Sequence, residues 1–158
     1  MRNPNVTNIV LAGLGGQGVL KASDIVADAA FRAGFDVKKS ELHGMSQRGG
    51  SVTSDVRFGA RVLSPMIPAG EADYLVVLEP TQVDNNRWQL RAGGELIAPG
   101  AVEEGALRSK KSLNVALLGL LSTRLEIPEQ AWLDAISTNL PERLLDINYE
   151  AFAAGRRR

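Results

Sequence analysis

The stretch GLGGQG, Gly13 to Gly18, places four glycines in six residues, directly after the apolar run NIVLA and directly before a helical pattern. A short, wholly apolar run suits a parallel strand buried on both faces. Glycine tolerates positive φ and lets a foreign atom approach the backbone. Gly13, Gly15 and Gly18 satisfy G-x-G-x-x-G between a strand and a helix, the setting in which that spacing has physical meaning. The helix N-terminus adds unpaired N–H groups and a partial positive charge. The corner formed by Gly13, Gly15, Gly16, Gln17 and Gly18 is therefore a candidate site for pyrophosphate or carboxylate. The competing reading is that the glycines serve only close helix–strand packing.

The pattern around the corner sets the fold class. Val19, Ala22, Val26, Ala29, Ala30 and Ala33 share one helical face, with Lys21, Asp24, Asp28 and Arg32 opposite, and Gly34 stands at the helix C-terminus. Phe35–Glu41 reads as a second strand, which makes a βαβ unit with a right-handed crossover. SVTSDVRF then alternates, with Val52, Ser54, Val56 and Phe58 on one face. Gly59-Ala60 has the form of a two-residue hairpin turn, with Arg61–Ser64 returning. Asp73–Leu78 and Gly94–Ala98 are further strands, and residues 81–90 between them are a short helix carrying Trp88. Helices follow from about Val115, capped by Ser112 or Asn114, from Pro128 with Trp132 and Ile136 inward, and from Pro141 with Leu144, Leu145, Ile147 and Phe152 as packing candidates. The expectation is one α/β domain over 1–158. It is Rossmann-like, with a mostly parallel sheet, an inserted β-hairpin and a helical C-terminus.

Composition excludes several functions. Lys+Arg and Asp+Glu both number 18, so no net positive charge favours nucleic acid. The chain has no cysteine, hence no disulfide, no thiol nucleophile and no thiolate to ligate an iron–sulfur cluster. One histidine rules out a histidine-rich metal centre, and no metal ligands are expected. The opening MRNPNVTN lacks an apolar signal region and no run is long enough for a membrane span, so the expected location is cytoplasmic.

A second polar cluster lies at SELHGMSQRGGS, Ser40–Ser51. Arg48 could clamp a phosphate bidentately, and Gly49 and Gly50 let the loop turn behind it. The alternative is an ion pair from Arg48 to Glu41 or Asp55. His43 could donate a proton or orient a partner near neutral pH, although a lone loop histidine is more often structural. Glu41, at the end of the second strand, occupies the place of the acidic residue that binds ribose in dinucleotide sites. An independent NAD(P)-binding oxidoreductase is thus a second reading, and a non-catalytic scaffold subunit a third.

Three ordered blocks, LAGLGGQGVLKASDIVADAA, KKSELHGMSQRGGSVTSDVRFG and SPMIPAGEADYLVVLEP, together with NVALLGLLSTRL and INYEAFAAG, resemble the gamma-type domain of the 2-oxoacid:ferredoxin oxidoreductases. The spelling HGMSQRGG is most similar to the small (beta) subunit of the indolepyruvate-type enzymes. The resemblance implies oxidative decarboxylation of a 2-oxoacid with coenzyme A as co-substrate and ferredoxin as acceptor, reached through the complex. It implies a large catalytic partner subunit carrying thiamine diphosphate, Mg and 4Fe-4S clusters, with no cofactor held by this chain alone. The chain would contribute to coenzyme A access and active-site closure and be inactive by itself, with a homodimer as the expected state when isolated. Under the resemblance, Gly13, Gly15, Gly16, Gln17, Gly18, Ser46, Gln47, Arg48, Gly49 and Gly50 become the anion- or coenzyme A-binding set, supported by Glu41. Glu71, Asp73 and Glu79 lie in the shared blocks without an assigned role. One departure stands out. About fifteen residues separate the strand ending near Ala98 from the helix near Leu113, too few for a further strand plus its crossover, whereas the family has a longer stretch there. Either the sheet lacks a strand or a partner covers its edge.

Overall fold

The computed structural model describes residues 5–43, 50–103 and 105–158, with His43 described by its backbone alone. The first strand, β1 (Val6–Leu14), occupies the middle of a five-stranded sheet. Its side chains divide by the strand period of two. Ile9 and Leu11 point into the main core, while Val10 and Ala12 point to the opposite face and meet Leu75 and Val77. Helix α1 (Val19–Arg32) follows, buries Val19, Ala22, Ile25, Val26, Ala29 and Ala30, and pairs Arg32 with Asp28 at 3.0 Å on its outer face. Strands β2 (Asp36–His43) and β3 (Ser51–Gly59) come next, then β4 (Ala72–Val77). The short helix α2 (Val83–Asn86), flanked by single 3-10 turns, leads into β5 (Leu90–Ile97). Three helices close the chain: α3 (Leu113–Ser122), α4 (Glu129–Asn139) and α5 (Leu145–Arg156).

The strand order is β2-β3-β1-β4-β5. β1, β4 and β5 are parallel neighbours, while β3 runs antiparallel to both β1 and β2. Four strands therefore point one way and β3 the other. The α/β class, the mostly parallel direction and the helical C-terminus agree with the sequence, and Val52, Ser54, Val56 and Phe58 are buried as the alternation predicts.

The expected hairpin is corrected. β3 does not turn at Gly59-Ala60 to pair with residues 61–64; its hairpin partner is β2, and its other edge is taken by β1. With both edges occupied, Arg61–Ser64 has no ladder to join. Side chains hold it instead: the Val62 N–H donates to Asp36 at 2.7 Å, and Arg57 donates to the Ser64 and Met66 carbonyls at 2.9 and 3.1 Å. Gly59 has a different purpose, since a Cβ there would lie 2.3 Å from the Asn5 carbonyl oxygen. The simple βαβ adjacency is also corrected, because β3 separates β2 from β1. Among the described residues, 99–112 hold two short 3-10 turns, Pro99–Ala101 and Lys110–Ser112, and no strand, so β5 remains a sheet edge there.

Helices α1, α3, α4 and α5 cover one face of the sheet. α3 is buried over nearly its whole length, Trp132 of α4 and Phe152 of α5 pack with ring centroids 6.0 Å apart, and Leu144 stays exposed. The closest approach is between α3 and α5. A Cβ on Gly155 would fall 1.8 Å from the Ala116 carbonyl oxygen, and one on Gly119 would fall 2.1 Å from that of Phe152. Both obstacles are backbone, so neither can swing aside. We expect Gly155→Ala to destabilise the protein by about 2 kcal/mol despite alanine's higher helix propensity, because separating two packed helices costs more than that gain. A denaturant midpoint unchanged from wild type would contradict this packing.

Candidate functional site at the glycine corner

The end of β1 turns through Gly15–Gly18 into α1. Gly16 and Gly18 have φ of 89° and 84°, a region that excludes most side chains. Gly18 is the N-cap residue of α1 and supplies no side-chain cap. The first N–H groups of the helix therefore lack the acceptor that a serine or aspartate cap would give them. No acidic residue occupies the first turn.

Part of the corner is closed by the protein itself. Gln17 folds back: its Oε1 accepts the Leu14 N–H at 2.8 Å, and its Nε2 donates to Glu79 at 2.8 Å. Thr81 donates to the other Glu79 oxygen at 3.3 Å. The Gly15 N–H donates to the Gly50 carbonyl at 2.8 Å. Gly13 is packed rather than open, because a Cβ there would meet Gln17, Val19 and Leu78 within about 3 Å. The corner thus divides. Gly13 and Gly15 build the turn, Gly16 and Gly18 line a cavity of about 470 Å³, and Gln17 both braces the turn and lines that cavity.

That cavity has a wall that sequence reading missed. Lys110 and Lys111, from the 3-10 turn before α3, line it with Gln17 and Asn114. Asn114 fixes this wall to the corner, donating to the Gly18 carbonyl at 3.2 Å and accepting the Val115 N–H at 2.9 Å. Ser109 accepts the Lys111 N–H at 3.2 Å, which holds the lysine turn in shape. The Ser112 hydroxyl donates back to the Ser109 carbonyl and does not cap α3. In the sequence, RSKK reads only as a charged stretch. Nothing local says that it folds back against a turn more than ninety residues earlier.

The second polar cluster is only partly placed. Ser46, Gln47, Arg48 and Gly49 lie outside the described residues, as does the His43 side chain. Their flanks are informative. His43 pairs with Val52, Ser51 pairs with Leu14, and Gly50 touches Gly15, so His43 and Gly50 both lie at the end of the sheet that carries the corner. Glu41 is not at the corner. It lies on edge strand β2 with β3 between it and β1, about 10 Å of sheet away. Its carboxylate accepts from Lys39, which also donates to Asp24 at 2.6 Å. Burial alone would lower the Lys39 pKa, but these two carboxylates outweigh it and hold the ammonium above its ordinary value. Glu41 is thus part of an ion-pair cluster beside α1.

Two other concavities differ in character. One of about 340 Å³, at the opposite end of the sheet, contains Arg91 and Arg124, but Asp73 and Glu95 already bind those guanidinium groups at 2.7 and 3.0 Å. Another of about 280 Å³ is bordered by the exposed Leu42, Met66 and Trp88. Among the described residues no cluster of three His, Cys, Asp or Glu side chains could hold a metal ion, and no helix is long and apolar enough to cross a membrane.

Comparison with known proteins places this geometry in context. The family model described as pyruvate ferredoxin/flavodoxin oxidoreductase matches residues 8–158. The indolepyruvate oxidoreductase subunit IorB of Thermococcus kodakarensis is 33% identical over 94% of this chain and 93% of its own length. That alignment runs over 188 residues against 158 here, so the relative carries segments with no counterpart in this chain. The keto/oxoacid ferredoxin oxidoreductase gamma subunit of Geobacter sulfurreducens has the same fold, with a TM-score of 0.78, 23% identity and 96% of each chain covered. A 2-oxoglutarate:ferredoxin oxidoreductase from Magnetococcus marinus, solved with 2-oxoglutarate, coenzyme A and succinyl-CoA bound, matches 98% of this chain at a TM-score of 0.83 and 22% identity. This chain spans about a third (31%) of that longer one.

The Gln17 brace makes a direct prediction. Gln17→Leu leaves the half-buried Leu14 N–H without its acceptor and should cost about 1 kcal/mol in chemical denaturation, with earlier amide exchange at Leu14. Wild-type stability and protection in that variant would show that the brace is not needed.

Proposed function

Because the chain belongs to the pyruvate ferredoxin/flavodoxin oxidoreductase family, we propose that it is the small subunit of an indolepyruvate-type 2-oxoacid:ferredoxin oxidoreductase, contributing to coenzyme A access and active-site closure. The observation that carries this reading is the family match across residues 8–158. The chain holds no cysteine, so the iron–sulfur clusters that lead electrons to ferredoxin belong to a large catalytic partner, and thiamine diphosphate with Mg is assigned there too. When bound to the partner, thiamine diphosphate supplies the carbanion chemistry of decarboxylation.

This chain's own residues bind and orient. Gly16, Gly18 and the first turn of α1 offer backbone donors to an anionic group of coenzyme A. The segment from His43 to Gly50, carrying Ser46, Gln47, Arg48 and Gly49, would close over the partner's active site, with Arg48 gripping a second anionic group. His43 would serve as a proton donor or an orienting hydrogen-bond partner, and Glu41 as a support residue to that set. Holding one end of coenzyme A fixes the approach of its thiol, which is an orientation effect on the acyl-transfer step.

The independent NAD(P) reading has an observation against it: with β3 interposed, Glu41 is one strand too far from the glycine corner to take a ribose held there. Calorimetry suits the comparison of ligands, because Trp132 is buried and Trp88 borders a different cavity.

The chain purified alone should show no 2-oxoacid oxidation with an artificial acceptor. In the complex with its large subunit, Arg48→Ala should raise KM for coenzyme A about tenfold with the subunits still associated, the expected loss of one charge-assisted contact. Turnover by the lone chain, or calorimetric binding of NADH without binding of coenzyme A, would overturn the proposal. Coenzyme A dependence unaltered by Arg48→Ala would favour a scaffold role.

A further inference from the structure

The sheet face opposite the four long helices is covered only in part. Val10, Ala12, Leu75 and Val77 pack there against Ile67 from the segment before β4, Val83 of α2, and Leu90 and Leu96 of β5. Beyond this small cluster, Leu42, Met66 and Trp88 border one groove of about 280 Å³ and remain 72%, 65% and 63% exposed. Leu42 pairs with Thr53, whose neighbours Val52 and Ser54 are buried on the helix side, so the strand alternation sets Leu42 on this open face.

The groove is held in shape. The Trp88 indole N–H donates to the Asn85 carbonyl at 2.9 Å, so the ring can be covered without stranding a donor. Met66 is fixed on both sides: Arg57 donates to its carbonyl at 3.1 Å, its N–H donates to Ser64 Oγ at 3.3 Å, and the Ile67 N–H donates to Asp55 at 3.0 Å. Leu42 stands in the β2–β3 ladder. A preformed groove loses little side-chain and loop entropy on binding. Its carboxylates are also engaged, Asp55 by the Ile67 N–H and Glu41 by Lys39, and no basic side chain lines it. Ser40, Thr53, Asn85 and Gln89 complete an uncharged polar rim. An apolar centre within such a rim is matched by an apolar occupant.

Two observations choose that occupant. The three side chains expose a few hundred Å², the size at which an apolar patch marks an interaction site, but short of the about 800 Å² per partner of a stable interface. A second copy meeting this patch alone would be held too weakly, so the patch is an anchor within a wider contact. Leu42 also directly precedes His43, the last residue of β2 and the first of the segment that closes over the partner's active site under the proposed function. The wider contact runs from the groove to that segment. We infer that the groove of Leu42, Met66 and Trp88 is a docking site for an apolar segment of the large catalytic subunit. This rests on the proposed function for the identity of the partner.

The chain has two tryptophans, which makes the test specific. The full chain labelled with 5-fluorotryptophan and mixed with the unlabelled large subunit should show the Trp88 19F resonance shifted in the complex, while that of the fully buried Trp132 stays in place. Trp88→Ala should weaken association of the subunits about tenfold or more with its own denaturation midpoint unchanged. Phe31→Ala, which removes a 71% exposed ring from α1, should associate as wild type does. A complex that forms with the Trp88 resonance unmoved would overturn the docking site and leave the proposed function standing. A Trp88 shift that grows with the concentration of the chain alone would make a second copy the occupant and overturn the inference. Failure of the two subunits to associate at all would overturn the proposed function, and this occupant with it.

Discussion

The antiparallel pairing of β3 with β1 is the constraint on which the site depends. Its register puts Leu14 opposite Ser51 and Val6 opposite Gly59. The last residues of β1 and the first of β3 therefore meet at one end of the sheet, and the Gly15 N–H reaches the Gly50 carbonyl. The glycine corner and the flank of the HGMSQRGG segment become neighbours as a result. This register cannot slip. Moving β3 by one residue would turn Val52, Val56 and Phe58 out of the core, forfeiting roughly 1.5–3 kcal/mol for each large apolar side chain exposed. The position of the site is thus fixed by the packing of side chains that never touch it.

The second wall is placed by the same logic applied to helices. α3 is buried nearly all round, and its contact with α5 is so close that only glycine fits at residues 119 and 155. A helix held this tightly presents its N-terminus at a defined point. Asn114 converts that into a connection with the Gly18 carbonyl, across a sequence separation of 96 residues. Two independent parts of one core meet at the cavity, and neither can adjust without disturbing packing behind it.

Much of this was legible in the sequence because periodicity reports burial. The face of α1, the apolar β1, the inward Trp132 and the buried alternation of β3 all follow from periods of 3.6 and 2. Periodicity does not name a neighbour. The β3 alternation told which side chains were buried but not that both edges of the strand would be used, so the hairpin was given the wrong partner. Gly59 illustrates why: glycine is the residue for a tight turn and also for a close backbone crossing, and here the crossing with Asn5 was the cause. Glu41 was misplaced toward the corner for the same reason, since a strand inserted between β1 and β2 leaves no trace in β2 itself. The glycine corner was legible as a strand-to-helix turn, yet the lysines beside it were not, because their proximity comes from the return of α3. Ser46–Gly49 lie outside the described residues, so their part in the site rests on sequence.

The chemistry available at the corner sets the division of labour in any assembly that uses it. Backbone N–H groups and ammonium groups hold negative charge, and their effect is strong where the walls are apolar and the space concave. They transfer no electrons. A chain with no thiol and one imidazole has few groups suited to redox or proton-transfer steps near neutral pH, but it has a recess lined by Lys110 and Lys111 beside the glycine corner. Such a surface gains most when a second polypeptide excludes water from it. Desolvation strengthens each interaction between a fixed positive group and a bound phosphate, while on the isolated chain bulk water and salt weaken the same contacts. Under the proposed function, affinity at the corner and closure by a partner would be coupled: a partner that covered the recess would also tighten it, and an anion seated there would favour the covering.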